Sequence, residues 1–533
     1  MASRRLAPRG AWLAILVAGL IPLVGRGLLI PVLGVPKPAI QDEFGYLLAA
    51  DTFACGRLAN PTHPLAEHFE TLQEIFHPTY ASKYPPLSSL AMAFGQKFFG
   101  EPWIGVWLGM GVLCATLCWS LMGWLPMIWA IAGTLVAVVR IGIVSYWTET
   151  YWGGTWAAIG GALVIGALPR LIRRPRVQHG LVFAAGLGIL ANTRPFEGLL
   201  LAAICVGYLS WSFARRKVGL RQLARTLILP AAALLAPVFG WMGYYNFRVT
   251  GHALEMPYVA HEKQYNVWSV WLWNNNPGPA PAYSNPVLRD FWLNAFGKEK
   301  QFTADHVFKT HVSDLLGLSR FFLGWPIVLS MLAVVVPLSK NRKARQVFLL
   351  GALFYAGCAM DARLFPQYAA PATALVYLLA ALGLRMAWRH APGSPGERRM
   401  LAAGVATLFL VTTAVGLSTP KGRFYFSATD YHVKAKWART EEQLTHEPGQ
   451  HLVLVKYGPR HDPWEELVYN RADIDGARVV WARSLGSEED SRLIRYYSNR
   501  TVWLLEEDGE VKLKRYLAST ESTTPTLVGR VVR

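Results

Sequence analysis

Long apolar runs separated by short basic segments fill most of the chain, and near residue 420 this pattern gives way to short strand-like and helical stretches. A bilayer needs roughly 20 consecutive apolar residues per helix. On that measure the runs predict about eleven transmembrane helices, at 11–35, 103–122, 125–147, 154–170, 180–194, 196–213, 226–247, 321–338, 346–361, 366–385 and 400–418. Two long segments interrupt them, 36–102 and 248–320, both rich in Tyr, His and Pro, the second in Trp as well. Beyond 420, "HLVLVKY", "ARVVWARS", "TVWLLEED" and "VKLKRYL" read as short strands. "DYHVKAKWARTEEQL" and "SEEDSRLIRYYS" read as helices between them. The expected fold is an all-α polytopic membrane region over 1–419, followed by a small α/β domain over 420–533.

Composition agrees with a membrane protein. Of 533 residues, 53% are hydrophobic and 16% charged, with a mean hydropathy of +0.24; a soluble chain carries about 25% charge. The net charge of +19 would suit nucleic acid, but its distribution argues against such a partner. Twenty Lys and Arg cluster in alternate short segments, around Arg4–Arg9, Arg170–Arg176, Arg215–Arg225, Lys340–Arg345 and Arg385–Arg399. The whole 36–102 loop holds four. The positive-inside rule then places the N-terminus in the cytoplasm. An odd number of spans places both long loops and the C-terminal domain outside, as expected of a bacterial inner (plasma) membrane protein. The first apolar run follows "MASRRLAPRG" and lacks a small-residue cleavage site, so it reads as a retained span. The five cysteines form no CxxC and suggest neither a disulfide framework nor a zinc site.

The candidate chemistry begins where the chain leaves the first span. In "AIQDEFGYLLAADTFACGRLANP", Asp42 and Glu43 stand at the head of a predicted helix. Asp42, Tyr46, Ala49 and Phe53 share one face, and Glu43 turns to the next. Such a helix can lie in the outer interface with its apolar side down. Its N-terminus favours negative charge, so the two acids have a plain structural reading as well. Later in the loop, "KYPPL" sets Lys83 and Tyr84 before Pro85 and Pro86, which start a second helix. Further ionisable residues fall at or near the outer ends of spans: Arg140, Glu149, Arg194, Glu197 and Arg363. Ionisable groups in such places are functional candidates, although Arg194 and Glu197 can also pair with each other at i, i+3. Gly153, Gly154, Gly160, Gly161 and Gly166 suit close helix packing.

Taken together, the acidic pair after the first span, "KYPPL" before the second, and "DARLFPQYAAPATALVYLLAAL" near a late span resemble the membrane glycosyltransferases of the GT-C fold. The branch holding the protein O-mannosyltransferases and the lipid A aminoarabinose transferase is the most similar. That branch has Lys-Pro-Pro-Leu where this chain inserts Tyr84. The resemblance implies transfer of a sugar from a polyprenyl-phosphate donor to a glycan, lipid or protein acceptor on the outer side, with inversion. It implies Asp42 as general base with Glu43 as orienter or second acid. It makes Lys83, Arg57, Arg140 and Arg363 candidate ligands of the donor phosphate, and Tyr46, Tyr84, Glu149, Arg194, Glu197 and Tyr368 candidate substrate contacts. No cofactor is called for. A divalent metal stays open, with His261 and Glu262 of "HEKQ" able to supply one ligand.

Two other classes stay in view. A lipid or sugar transporter would favour inverted repeats and broken mid-membrane helices; here no repeat is visible and the charges gather toward one side. A non-catalytic assembly protein would tolerate loss of Asp42. The C-terminal domain carries no phosphate loop and no metal-ligand spacing, and reads as a packing or acceptor-docking module.

Overall fold

The computed structural model describes residues 8–268, 277–296, 304–360, 364–418, 428–507 and 511–516. Helices stand at all eleven places where the sequence predicts them. Seven are long and apolar enough to cross a membrane: Gly10–Leu28, Trp103–Trp124, Thr155–Arg173, Pro195–Arg215, Leu220–Thr250, Ala370–His390 and Pro395–Leu417. Met127–Gly142 and Val177–Ala191 are shorter apolar helices, and Arg342–Cys358 has 17 residues. The predicted span at 321–338 is broken. Helices Val307–Phe322 and Trp325–Leu332 meet at 108°, and together would bring the count to eight among the described residues. Gly324 makes the turn with φ 71°, a conformation that side-chain-bearing residues avoid.

Short connections make successive helices antiparallel, which sorts the charges by end. At one end lie the basic clusters, where Lys343 Nζ donates to the Trp124 carbonyl at 2.9 Å and Arg216 Nη1 to the Ile172 carbonyl at 3.0 Å. At the other end, the Leu87 amide donates to the Asn192 carbonyl at 3.1 Å, and the Tyr146 hydroxyl reaches Gln367 Oε1 at 3.0 Å. Small residues let the central helices touch: a Cβ on Gly161 would strike the Pro371 carbonyl.

The first loop folds as a helix, Gln41–Ala54, a short antiparallel pair, Glu74–Ile75 with Ala81–Ser82, and a second helix, Pro86–Phe99. The C-terminal region forms a four-stranded sheet in the spatial order Val479–Arg483, His451–Tyr457, Thr501–Glu507, Val511–Arg515. The first three strands run parallel and the last antiparallel. Residues His451–Val455 are buried without alternation, as a strand covered on both faces requires. Val453 and Val455 pack with Leu444 and Trp481 on one face. Leu452 and Leu454 pack on the other face with Leu48, Leu65, Phe69, Phe76 and Tyr80 of the first loop. Loop and sheet therefore share a core and sit at the same end of the bundle.

That shared core changes the setting of the Gln41–Ala54 helix. Instead of lying in the interface with one face down, it is enclosed. Phe44 stacks on Tyr469 with ring centres 4.0 Å apart, and Asp51 Oδ2 accepts from the Ala472 amide at 2.9 Å.

Candidate active site

The helix that carries the acidic pair starts from an extended residue, Ile40. Glu43 Oε2 accepts from the amides of Ala39 and Ile40 at 2.7 and 3.1 Å, satisfying donors that a helix start leaves open. Its Oε1 accepts from the Tyr151 amide at 2.9 Å. Glu43 is fully buried and uses both oxygens to tie the first loop to the 143–154 turn.

Asp42, one position earlier, faces a different setting. It is partly exposed and accepts a short hydrogen bond from the Tyr84 hydroxyl. Tyr46, one turn along the helix, stacks on Tyr84 with ring centres 4.2 Å apart. Burial raises the Asp42 carboxyl above its ordinary value of 3.8, against the lowering pull of the Tyr84 hydroxyl, Lys83 and Arg194. Burial also raises the Tyr46 phenol to about 12, so it stays a neutral donor.

Two cations act on Asp42. Lys83 is buried, with Nζ 4.7 Å from the Tyr258 ring centre and 3.4 Å from Glu262 Oε1. Burial opposes ionisation of Glu262, but Lys83 and His261 outweigh it and hold that carboxyl down at about 2. Arg194 precedes the Pro195–Arg215 helix. Its guanidinium lies 4.7 Å from the Tyr368 ring centre and 3.8 Å from Glu197 Oε1. Burial opposes its charge, and the carboxylate of Glu197 beside it supports that charge. The structure thus gathers Asp42, Tyr46, Lys83, Tyr84, Arg194, Glu197 and Tyr368 from four separate segments.

Other sequence candidates stand elsewhere. Arg57 follows the far end of the Gln41–Ala54 helix, about 20 Å along the axis from Asp42. Arg140 donates to the Phe321 carbonyl and to Thr413 Oγ1 at 3.2 and 3.1 Å, and also to the Arg320 carbonyl. It closes the C-terminal end of a helix at the 108° bend, where a cation suits the dipole. Glu149 is bound by Arg26 Nε at 2.7 Å. Arg363 lies outside the described residues.

Three residues near these groups escaped the sequence reading. Arg26 is one, although an arginine inside an apolar run is a visible signal. Tyr258 is another, facing Lys83. Gln367 is the third: fully buried, it takes the Tyr146 hydroxyl on Oε1, and its Nε2 has no hydrogen-bond partner.

No protein-family model matches the chain, and no curated protein matches it in sequence. Solved structures similar to it include ArnT from Cupriavidus metallidurans bound to undecaprenyl phosphate, at 14% identity and TM-score 0.49, covering 94% of this chain and 93% of that one. They also include the Archaeoglobus fulgidus oligosaccharyltransferase in complex with zinc and sulfate, at 11% identity and TM-score 0.48, covering 93% and 68%. The AglB oligosaccharyltransferase of the same organism, with an inhibitory peptide and a dolichol-phosphate, has 10% identity and TM-score 0.40, covering 93% and 69%. ArnT and AglB are GT-C glycosyltransferases, the class that the sequence motifs resemble. At these identities and scores the likeness transfers neither residue roles nor an activity to this chain.

Proposed function

We propose that this chain is an integral membrane glycosyltransferase that moves a sugar from a polyprenyl-phosphate donor to an acceptor hydroxyl, with inversion at the anomeric carbon. The observation that carries the reading is Asp42 itself: a carboxylate of raised pKa, held by Tyr84 and acted on by Lys83 and Arg194, at the ends of bundle helices. An anionic lipid headgroup anchored in the bilayer meets the protein at that level. In the proposed step the acceptor O–H gives its proton to Asp42 while its oxygen bonds to the anomeric carbon. The bond from that carbon to the phosphate oxygen breaks, and its electron pair leaves with the polyprenyl phosphate. A base whose pKa is raised toward the working pH takes a proton more effectively. Lys83 and Arg194 stabilise the charge that grows on the leaving phosphate. Arg194 takes the second cationic place in this reading, ahead of Arg57 and Arg140. Glu43 is a positioning residue: it holds the helix start and the 143–154 turn so that Asp42 is presented.

The same proposal divides the chain into a transmembrane region, 1–419, and an extracytoplasmic region, 420–533, which closes over the Gln41–Ala54 helix. The N-terminus is cytoplasmic. A cysteine replacing exposed Ser487 is then labelled from outside, and one replacing exposed Arg342 only from the cytoplasm. The reverse pattern would overturn the orientation. Activity is tested by reconstituting the purified protein with a panel of polyprenyl-phosphate sugars and a membrane extract as acceptor source. Release of polyprenyl phosphate that depends on Asp42 supports the reading. No release from any donor counts against it.

A further inference from the structure

Away from Asp42, where the first loop meets the C-terminal sheet, a second group of side chains converges. Glu67, His68 and Glu489 each offer one ligand atom, and these atoms lie within 4.8 Å of one another. Glu67 and His68 sit in the Ala66–His68 turn, and Glu489 in the first turn of the Ser487–Tyr496 helix. The chemistry is carried by His68, which is fully buried. Its Nδ1 is 2.8 Å from the Arg483 carbonyl. A carbonyl can only accept, so Nδ1 bears the hydrogen, and in the neutral imidazole Nε2 presents its lone pair. Nε2 has no hydrogen-bond partner, and neither has Glu489 Oε2. An unpaired imidazole nitrogen costs free energy in a protein interior, and a backbone carbonyl on the other nitrogen is the usual way to aim a ligating histidine.

We propose that Glu67, His68 and Glu489 bind a divalent transition-metal cation of the zinc class. One imidazole nitrogen and two carboxylates suit zinc, whereas magnesium and calcium prefer oxygen alone. The two carboxylates balance the charge of the ion. Arg492 now lies between them, 3.8 Å from Glu67 Oε1 and 3.5 Å from Glu489 Oε2. Its side chain is 57% exposed, so it is free to swing into water when a metal arrives. An open cleft of about 490 Å³, lined in part by Glu67, Glu489, Arg492 and Ser484, adjoins the group and lets water complete the coordination. Two ligands belong to the first loop and one to the C-terminal region. The ion therefore acts as a clasp that holds the C-terminal region on the first loop, and it binds only when the two are docked. This holds whether or not the reaction at Asp42 is the one proposed above.

The test uses the full-length protein, stripped with a chelator and then titrated with zinc. Bound zinc per chain and the thermal unfolding midpoint are read together. One zinc per chain is expected, with a midpoint that rises with zinc concentration. Glu489→Gln and Glu67→Gln alter partly exposed carboxylates and leave the core intact; each should weaken zinc binding by at least about tenfold and abolish the rise in midpoint. His261→Gln should leave zinc uptake and the zinc-dependent rise in midpoint unchanged, whatever it does to the midpoint without metal. Three results would overturn the proposal: no zinc uptake, uptake equal in wild type and Glu489→Gln, or uptake lost in His261→Gln, which would place the metal beside Lys83. Magnesium binding as tightly as zinc would also overturn it.

Discussion

At the end of the bundle that carries the first loop, two groups of charged residues meet at the Asp42–Glu43 pair. The group around Arg26 is tightly paired, with Nη1 alone left without a hydrogen-bond partner. Its Nε and Nη2 take both oxygens of Glu149 at 2.7 and 3.2 Å, Nη2 also donates to the Gly34 carbonyl at 2.8 Å, and the guanidinium lies 4.6 Å from the Trp103 ring centre. Glu43 adds its contacts to backbone amides. The group around Asp42 is loosely held: its cations keep carboxylates at 3.4 and 3.8 Å and otherwise face tyrosine rings. Charges at a membrane boundary sort by how tightly they are paired. Fork-shaped, short pairing in a dry site fixes the fold, and removing one partner leaves a buried charge exposed to its full desolvation cost. Cations with long contacts and aromatic neighbours remain open to an incoming anion.

The largest expected effect divides the two groups by activity. Asp42→Asn keeps shape and polarity but cannot take the proton, so single-turnover transfer should fall about 10²- to 10⁴-fold, with donor binding and fold retained. Near-normal turnover would return Asp42 to the role of a helix-dipole partner. Arg26→Ala should do the opposite, costing about 3–5 kcal/mol of stability by stranding Glu149; thermal unfolding in detergent reads this. An Arg26→Ala protein that unfolds like wild type would break the comparison. Lys83→Ala should weaken donor-lipid binding about 10- to 100-fold, the worth of a hydrogen bond to a charged group. Lys83→Arg should restore part of it, since a fork replaces a point charge. Wild-type donor affinity in Lys83→Ala would take the phosphate away from this residue.

The smallest effect concerns pH. Asp42 works deprotonated, so activity is lost as pH falls through its pKa, which burial already sets above 3.8. The Tyr84 hydroxyl lowers that pKa. Tyr84→Phe removes the lowering, so the acid limb of kcat/KM should move to higher pH, while the rate at its plateau changes by less than about tenfold. An unmoved limb would show that another group titrates there.

Much of this was legible along the chain. Helix positions other than the broken 321–338 segment, the sorting of basic residues to one end, the strands and helices of the C-terminal region, and the places of Asp42, Lys83 and Tyr84 in their motifs all follow from local pattern. These features depend on a residue and its near neighbours: long apolar runs partition into lipid, short β-branched runs favour strands, and a 3.6-residue period favours helices. Arg26 too was visible as an arginine in an apolar run, though its partner, 123 positions away, was not. The sequence equally could not divide labour between Asp42 and Glu43. Nothing local says that Glu43 will meet the Tyr151 amide, or that the first loop and the sheet will share one core and enclose the helix between them. Nor does it say that Arg194 and Tyr368 will come to Asp42 while Arg57 and Arg140 do not, or that His68 will face Glu489. Those outcomes were decided by tertiary packing, because the energy of a charge depends on which distant groups share its low-dielectric surroundings.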